Sequence, residues 1–462
     1  MTIIKIGHLS QKSRNIAIIG AGIAGLSAAW LLQQSHRVTL FERDARTGGH
    51  ANTVIVSLDG EQYPVDTGFI VYNVVNYPNL VALFDHLDVP TRASDMSFSV
   101  SARAGALEYS SNLPNGLFGQ RRNLVRPVFW RMLGDIRRFY RAAPEDLRAG
   151  RLAGLTLGDY LSTGGYDRRF ADDHLLPIGA AIWSAAANDM RCYPAESFVR
   201  FFESHGLLKL HERPRWRTVT GGSRVYVEHL TAPFADSIQS NVDIHKIVRH
   251  SAGVDVVDAS GQSQTFDDVV LGVHADEALA MLTDPSQQES ALLGAIRYTR
   301  NTTYLHTDPQ MMPKHRRVWA SWNYMTPADV SAGPPQVSYW LNRLQGLETP
   351  RPLILTLNPP APPAAEHTLA AFSYDHPLYD AQALKAQRNL WQLQGKQNTW
   401  FCGSYFGYGF HEDALQSGLA VAEALGGVRR PWTVTGESDR LWLSDRTRQD
   451  GVFPTSLQKA AR

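Results

Sequence analysis

Cysteine is nearly absent from this 462-residue chain: Cys192 and Cys402 stand far apart, outside any CxxC or Cys/His cluster. That excludes a disulfide framework and a zinc site, and makes a reducing compartment the default. Long apolar runs are missing too. The most hydrophobic segment near the start, 16–32, is broken by three glycines, so it is not read as a membrane span. Net charge is scarce, since 45 Lys+Arg against 44 Asp+Glu leave +1, and this excludes a general polyanion binder. Lysine itself is sparse, eight of those 45 basic residues. The first thirteen residues lack the apolar core and cleavage site of a secretory signal, so the reading is a cytosolic protein, at most peripheral to the inner membrane face. What is present, 44% hydrophobic and 19% charged residues, is ordinary globular composition and enough chain for two or three structural units.

From Asn15 the chain runs NIAIIGAGIAGLSAAWLLQQSHRVTLFERD, a short apolar strand, a glycine turn, an alanine-rich helix and a second strand ending at Glu42. Gly20, Gly22 and Gly25 form G-x-G-x-x-G at the strand-to-helix junction. The first permits a tight turn, the second lets backbone approach a pyrophosphate, and the third lets helix and strand pack closely. With Ile23 and Ala24 they open a helix whose N-terminus favours phosphate charge. Glu42, with Arg43 behind it, ends the second strand where a carboxylate accepts hydrogen bonds from a ribose diol and repels a 2′-phosphate. These parts together predict a dinucleotide site. Gly48, Gly49, His50, Asn52 and Thr53 then bring a second glycine-rich approach to the same place.

This second segment resembles the E-x5-G-G-R-x-x-T fingerprint of the flavin amine oxidase and phytoene desaturase superfamily, with His50 where Arg is usual. VDTGFIVYN (65–73), which contains Thr67, Gly68 and Phe69, resembles the superfamily's D-x-G segment beside the flavin ring. Near the other end, FCGSYFGYGFHEDALQSG resembles the flavin-binding terminus, which assigns Gly403, Ser404, His411 and Glu412 to the cofactor. A helix beginning near His411 supplies free amides and partial positive charge, which stabilise a reduced flavin. Ile247 and Val248, on the strand DIHKIV, complete the assigned set. Within the superfamily the chain looks most like a bacterial amine-oxidase-like group whose members often occur beside cyclopropane-fatty-acid-synthase-like methyltransferases, a pointer toward lipid substrates.

The resemblance implies an α/β fold, a Rossmann-type, GR2-like FAD-binding domain in three parts (14–75, 218–290 and 396–430). Between them lie a mostly helical insertion (76–217) and an antiparallel-sheet substrate domain (291–395), and 431–462 is read as a tail. The cofactor is non-covalent FAD, with no metal; Cys402 reads as a buried apolar residue and not a covalent flavin link. His306, Trp322 and Tyr324 are substrate-pocket candidates, although aromatics on half-buried strands pack by default. Glu203, His205 and His211 sit at helical spacing and offer an acid or base. No catalytic side chain is assigned. Nine arginines interleaved with apolar residues over 119–151 read as an interfacial helix touching a membrane surface. The expected activity is hydride transfer between flavin and an apolar, lipid-like substrate, as a desaturase, saturase or isomerase. A flavin amine oxidase and a non-catalytic FAD-binding protein are the alternatives. Amine oxidases place a lysine near the flavin, and no lysine here matches that motif. Nucleic acid is not an expected partner; the oligomeric state is not legible.

Overall fold

The glycine turn does what its spacing requires. In the computed structural model, which describes residues 13–183, 187–209, 214–326 and 336–443, the strand Asn15–Ile19 leads into the helix Ile23–Leu32 and back into the strand Arg37–Glu42. The chain divides into two compact units, the first built from 1–49, 227–296 and 386–462, the second from 50–226 and 297–385.

The first unit is centred on a five-stranded parallel sheet in the order Ile238–Ser240, Arg37–Glu42, Asn15–Ile19, Asp268–Leu271, Thr399–Phe401. Parallel strands are joined by crossovers and covered on their faces, so they read as continuous apolar runs. Ile16, Ala17, Ile18, Val269, Val270 and Leu271 are accordingly fully buried. An antiparallel three-stranded meander, Ile244–His250, Gly253–Asp258 and Ser263–Phe266, belongs to the same unit. The last helix, His411–Ala424, packs against the first, and the contact is at backbone range: a Cβ on Gly418 would overlap the Ala24 carbonyl oxygen. The described part of the stretch read as a tail, 431–443, and the residues just before it are packed. Trp432 stacks on Trp30 at 5.8 Å, and the buried Arg430 forks onto the Glu423 carboxylate at 2.8 and 2.9 Å.

The second unit holds a seven-stranded sheet in the order Thr368–Leu378, Arg297–His306, Ile354–Leu357, Gln336–Trp340, Trp322–Met325, Phe98–Ala102, Leu107–Ser110. It departs from an all-antiparallel sheet at one seam, where Trp322–Met325 runs parallel to Phe98–Ala102. Its last two strands come from the stretch expected to be mostly helical, where they stand between the helix Pro78–His86 and the long helix that begins at Pro127. Val56, Val65, Leu305, Leu341, Leu353 and Leu355 form the apolar core beneath. Among the described residues no helix is long and apolar enough to cross a membrane.

Candidate functional site

In the first unit three glycines interlock behind the turn. Gly20 takes a left-handed φ of 95° and donates to the Phe41 carbonyl at 2.8 Å. A Cβ on Gly25 would overlap the Gly20 carbonyl oxygen, and one on Gly272 would come 2.9 Å from the Gly25 Cα. Gly22 is the opposite case. A Cβ there meets nothing within 4 Å, and its φ of −74° suits any residue. Gly22 is also the N-cap of the first helix, and no side chain caps that end. The result is a cradle which a Cβ would enter, set before a helix N-terminus, and that donor set fits the pyrophosphate of a dinucleotide. Ile23 and Ala24 lie in the first turn, 5% and 4% exposed.

The second glycine pair is fastened onto the first: Gly48 donates to the Ala21 carbonyl at 2.8 Å, and a Cβ on Gly49 would stand 3.1 Å from the Gly22 Cα. Glu42 accepts the Ala21 N–H at 2.8 Å and the Asp44 N–H at 2.9 Å, one on each carboxylate oxygen. Two backbone bonds fix its direction and leave lone pairs for a diol. Arg43 turns away to Glu277 at 2.9 Å, which raises its pKa. Ile247 is fully buried, its carbonyl accepting from Thr283 at 3.2 Å, whereas Val248 is 37% exposed.

At the end of the same sheet, Gly403 donates to the Ser417 hydroxyl at 2.9 Å and Ser404 opens a single 3₁₀ turn. His411 begins the last helix, and burial pushes its imidazole down to about 3, so it is neutral. Glu412 is fully buried and accepts from Gln416 at 3.1 Å. Sequence reasoning missed Asp413, which accepts the Phe410 N–H at 2.8 Å and pairs with Arg440 at 2.9 Å. Its position three residues beyond Phe410 is that of a capping box's acid, but the N-cap is Phe and not the Ser, Thr, Asp or Asn that marks such a box in sequence. Cys402 is buried, its thiol pushed up to about 12 by desolvation, which matches the apolar role read for it.

The remaining assigned residues lie in the second unit and form a network of their own. Asn52 donates to the Tyr374 hydroxyl at 2.9 Å, Thr67 lies 2.8 Å from the same hydroxyl, and the His50 ring sits 5.1 Å from Tyr374 and 5.5 Å from His376. Phe69 donates to the His50 carbonyl at 2.7 Å, and a Cβ on Gly68 would overlap that oxygen. Tyr374 and His376 were not anticipated; they alternate on one face of the strand Thr368–Leu378. Asp66 was missed as well. Fully buried, it accepts from Thr53 at 2.6 Å, from the Ser223 N–H at 2.8 Å and hydroxyl at 2.7 Å, and from Gln345 at 2.9 Å. Burial nevertheless raises its pKa to about 6.

The three substrate-pocket candidates sit within the packing of the seven-stranded sheet. His306 is fully buried, 2.7 Å from the Thr356 hydroxyl, and accepts the Asp308 N–H at 3.1 Å; burial lowers it to about 4. Tyr324 is 1% exposed and Trp322 packs on the apolar core. His205 is buried with its ring 3.8 Å from that of Phe201, Glu203 is half-buried, and His211 lies outside the described residues. Among the described residues no cluster of three His, Cys, Asp or Glu could hold a metal.

Known proteins share a family and a fold with this chain. The family described as flavin containing amine oxidoreductase matches residues 23–308. A Mycobacterium tuberculosis protein that carries the provisional name flavin-containing monoamine oxidase AofH is 26% identical over 281 residues, 59% of each chain, so the match spans well under two thirds of that relative. Putrescine oxidase bound to putrescine is similar in structure with a TM-score of 0.63 at 15% identity, covering 89% of this chain and 99% of that one. The fatty acid isomerase of P. acnes that produces CLA has a TM-score of 0.62 at 18% identity, covering 90% and 98%. At such identities the two structures show the shared fold.

Proposed function

The chain belongs to the flavin containing amine oxidoreductase family, and from that premise we propose an FAD-dependent oxidoreductase that binds its cofactor non-covalently and acts on an apolar, lipid-like substrate. The observation that carries cofactor binding is the uncapped, unobstructed helix end at Gly22, backed by a Glu42 carboxylate that two backbone amides hold in place. When bound, FAD supplies hydride acceptance or donation. The chain's own contribution is to hold the pyrophosphate against the first helix, to accept the ribose hydroxyls at Glu42, and to point the last helix's N-terminus toward negative charge. The resemblance assigns His50, Asn52, Thr67, Gly68 and Phe69 to flavin binding, and within their own unit Tyr374 is the hydroxyl that sets Asn52 and Thr67.

Lysine supports the substrate side of this reading. All five lysines among the described residues (209, 246, 314, 385 and 396) are exposed, and none of them matches the motif in which the amine oxidases place a lysine near the flavin. The family match and the resemblance to putrescine oxidase favour a second reading, an amine oxidase. Anaerobic mixing of the FAD-loaded protein with unsaturated or cyclopropane acyl lipids, and separately with mono- and polyamines, tests the two. Bleaching of the flavin absorbance by lipids supports the proposal. Rapid bleaching by an amine alone replaces it with the second reading; bleaching by neither, together with no reoxidation of pre-reduced flavin by unsaturated or cyclopropane acyl lipids, leaves an FAD-binding protein without this chemistry.

A further inference from the structure

The helix Pro127–Arg148 does not lie on a surface by its apolar face, as its sequence led us to expect. Phe129, Met132, Phe139 and Ala143 are buried within the second unit, so that face is already covered. What remains uncovered is the helix's N-terminal end with the loop and the 3₁₀ turn Arg121–Val125 before it. Val125 is 81% exposed, Leu113 75%, Trp130 51%, Leu124 46% and Val128 41%. Five of the twelve exposed large hydrophobics among the described residues thus fall within 18 consecutive positions. The Phe118 and Trp130 rings are 5.7 Å apart, and the Trp130 indole N–H donates to the Leu124 carbonyl at 2.9 Å, so loop, turn and helix start form one surface. Scattered exposed hydrophobics need no explanation; a gathered patch rimmed by charge does.

The rim is of one sign. No Asp or Glu occurs between Glu108 and Asp135, while Arg121, Arg122, Arg126 and Arg131 do. Among the described residues none of these four arginines has a carboxylate partner. Arg122 and Arg126 donate to the Ala106 carbonyl at 2.7 and 3.2 Å, and Arg121 to Phe118 at 3.3 Å. Arg126 is held below the usual guanidinium value, first by burial and then by the like charges of Arg122 and Arg103. Past Leu113 the surface continues into a cleft of about 530 Å³ bounded by Asn112, Arg316, Arg317 and Arg343; Arg316 and Arg317 extend the positive lining, while Arg343 pairs with Asp95 at 2.9 Å. The whole chain carries only +1, so this is a local field and not a property of the entire surface.

We propose that this tip, residues 113–131, docks on an anionic lipid bilayer, with Leu113, Leu124, Val125 and Trp130 entering the acyl boundary and the arginines meeting phosphate headgroups. Charge complementarity draws the surface to the membrane and apolar burial holds it there, with the indole at the polar boundary that tryptophan favours. A nucleic acid satisfies the arginines but leaves Val125 and Leu113 in water. The inference extends the apolar-substrate reading by naming where that substrate is met, and rests on it to that extent.

The test uses the full chain loaded with FAD, sedimented with phosphatidylcholine vesicles with and without phosphatidylglycerol, at low and high salt. Association is expected with the anionic vesicles only, falling at least about tenfold at high salt because the field is screened. Arg122→Glu with Arg126→Glu is expected to weaken it by about 25-fold or more, at roughly fivefold per basic residue lost. Val125→Asp with Leu113→Asp is expected to weaken it comparably while leaving the flavin spectrum and melting temperature unchanged, since these side chains are 81% and 75% exposed. Absence of association at low salt, or association undiminished in both variants, overturns the proposal. So does equally tight RNA binding that survives Val125→Asp. Flavin bleaching by acyl lipids presented in detergent micelles is read in parallel: bleaching without vesicle binding sinks only the docking surface, and vesicle binding without bleaching sinks only the substrate reading.

Discussion

Gly22 and Gly25 stand three residues apart in one motif, yet the structure gives them opposite reasons for being glycine, and Gly22→Ala separates binding from folding. At Gly22 the new methyl meets nothing in the protein, and φ −74°, ψ 172° is ordinary extended backbone. Loss of unfolded-state entropy favours Ala by about 0.4–1 kcal/mol, and the poorer N-cap offsets a similar amount, so stability stays within about 1 kcal/mol. If the open space is where the pyrophosphate sits, the methyl displaces it from the helix amides. Losing even two charged hydrogen bonds at about 1.5 kcal/mol each costs about 3 kcal/mol, on the order of a hundredfold in FAD affinity. Gly25→Ala has to displace the Gly20 carbonyl and is expected to destabilise by at least about 1–3 kcal/mol. Calorimetric titration of apoprotein with FAD, beside chemical denaturation, reads both quantities. FAD affinity within threefold of wild type for a well-folded Gly22→Ala protein would refute the cradle.

Glu42→Ala is expected to weaken FAD binding by about 1.5–3 kcal/mol and also to lower the melting temperature, because the Ala21 and Asp44 amides lose their acceptor; an unchanged affinity in the same titration leaves Glu42 a purely structural acid. Gly418→Val is expected to cost about 3 kcal/mol or more, since no rotamer removes its Cβ from the Ala24 carbonyl, and a denaturation midpoint equal to wild type contradicts the close packing of the two helices. Asp66 supplies a pH signature: its folded pKa of about 6 lies above the unfolded value of 3.8, so its contribution is fully present only below that value and is lost as pH rises through 6. The stability of wild type relative to Asp66→Asn is therefore expected to fall by about 2 kcal/mol between pH 4 and 7, and a difference that grows with pH over that range is incompatible with this burial.

The nucleotide end of the chain was legible because its signals are local. Turn, helix and acid follow one another within thirty residues, and each glycine's role can be read from its place between a strand and a helix. Gly272 was not legible: it closes the same cluster from the end of a strand that reaches it only through the parallel pairing of Val270 with Ile18. The seven-stranded sheet shows the same limit. Its strands were visible as runs of Tyr, Trp, Thr and Val, but the parallel seam between Trp322 and Phe98 is a pairing that no local pattern encodes. His306 is a case where residue type misdirects. An imidazole on an aromatic strand reads as pocket lining until its partners, Thr356 and the Asp308 amide, are seen. The arginine-rich stretch does form a helix, Pro127–Arg148, as its period implied. Only burial distinguished the covered face from the exposed tip.

All ten residues of the first helix are buried, and the helix that helps bury them is the last one, joined through Gly418 and Ala24. On the ribosome this imposes an order. A chain made from its N-terminus exposes Ile23–Leu32, an apolar helix without its mate, during the synthesis of nearly everything that follows. Both segments of the second unit have emerged before residue 386, so that unit can close early, whereas the first waits for the final helix. Nascent chains stalled short of His411 are accordingly expected to hold a protease-resistant second unit while the glycine turn and its helix remain cleavable and in need of a chaperone.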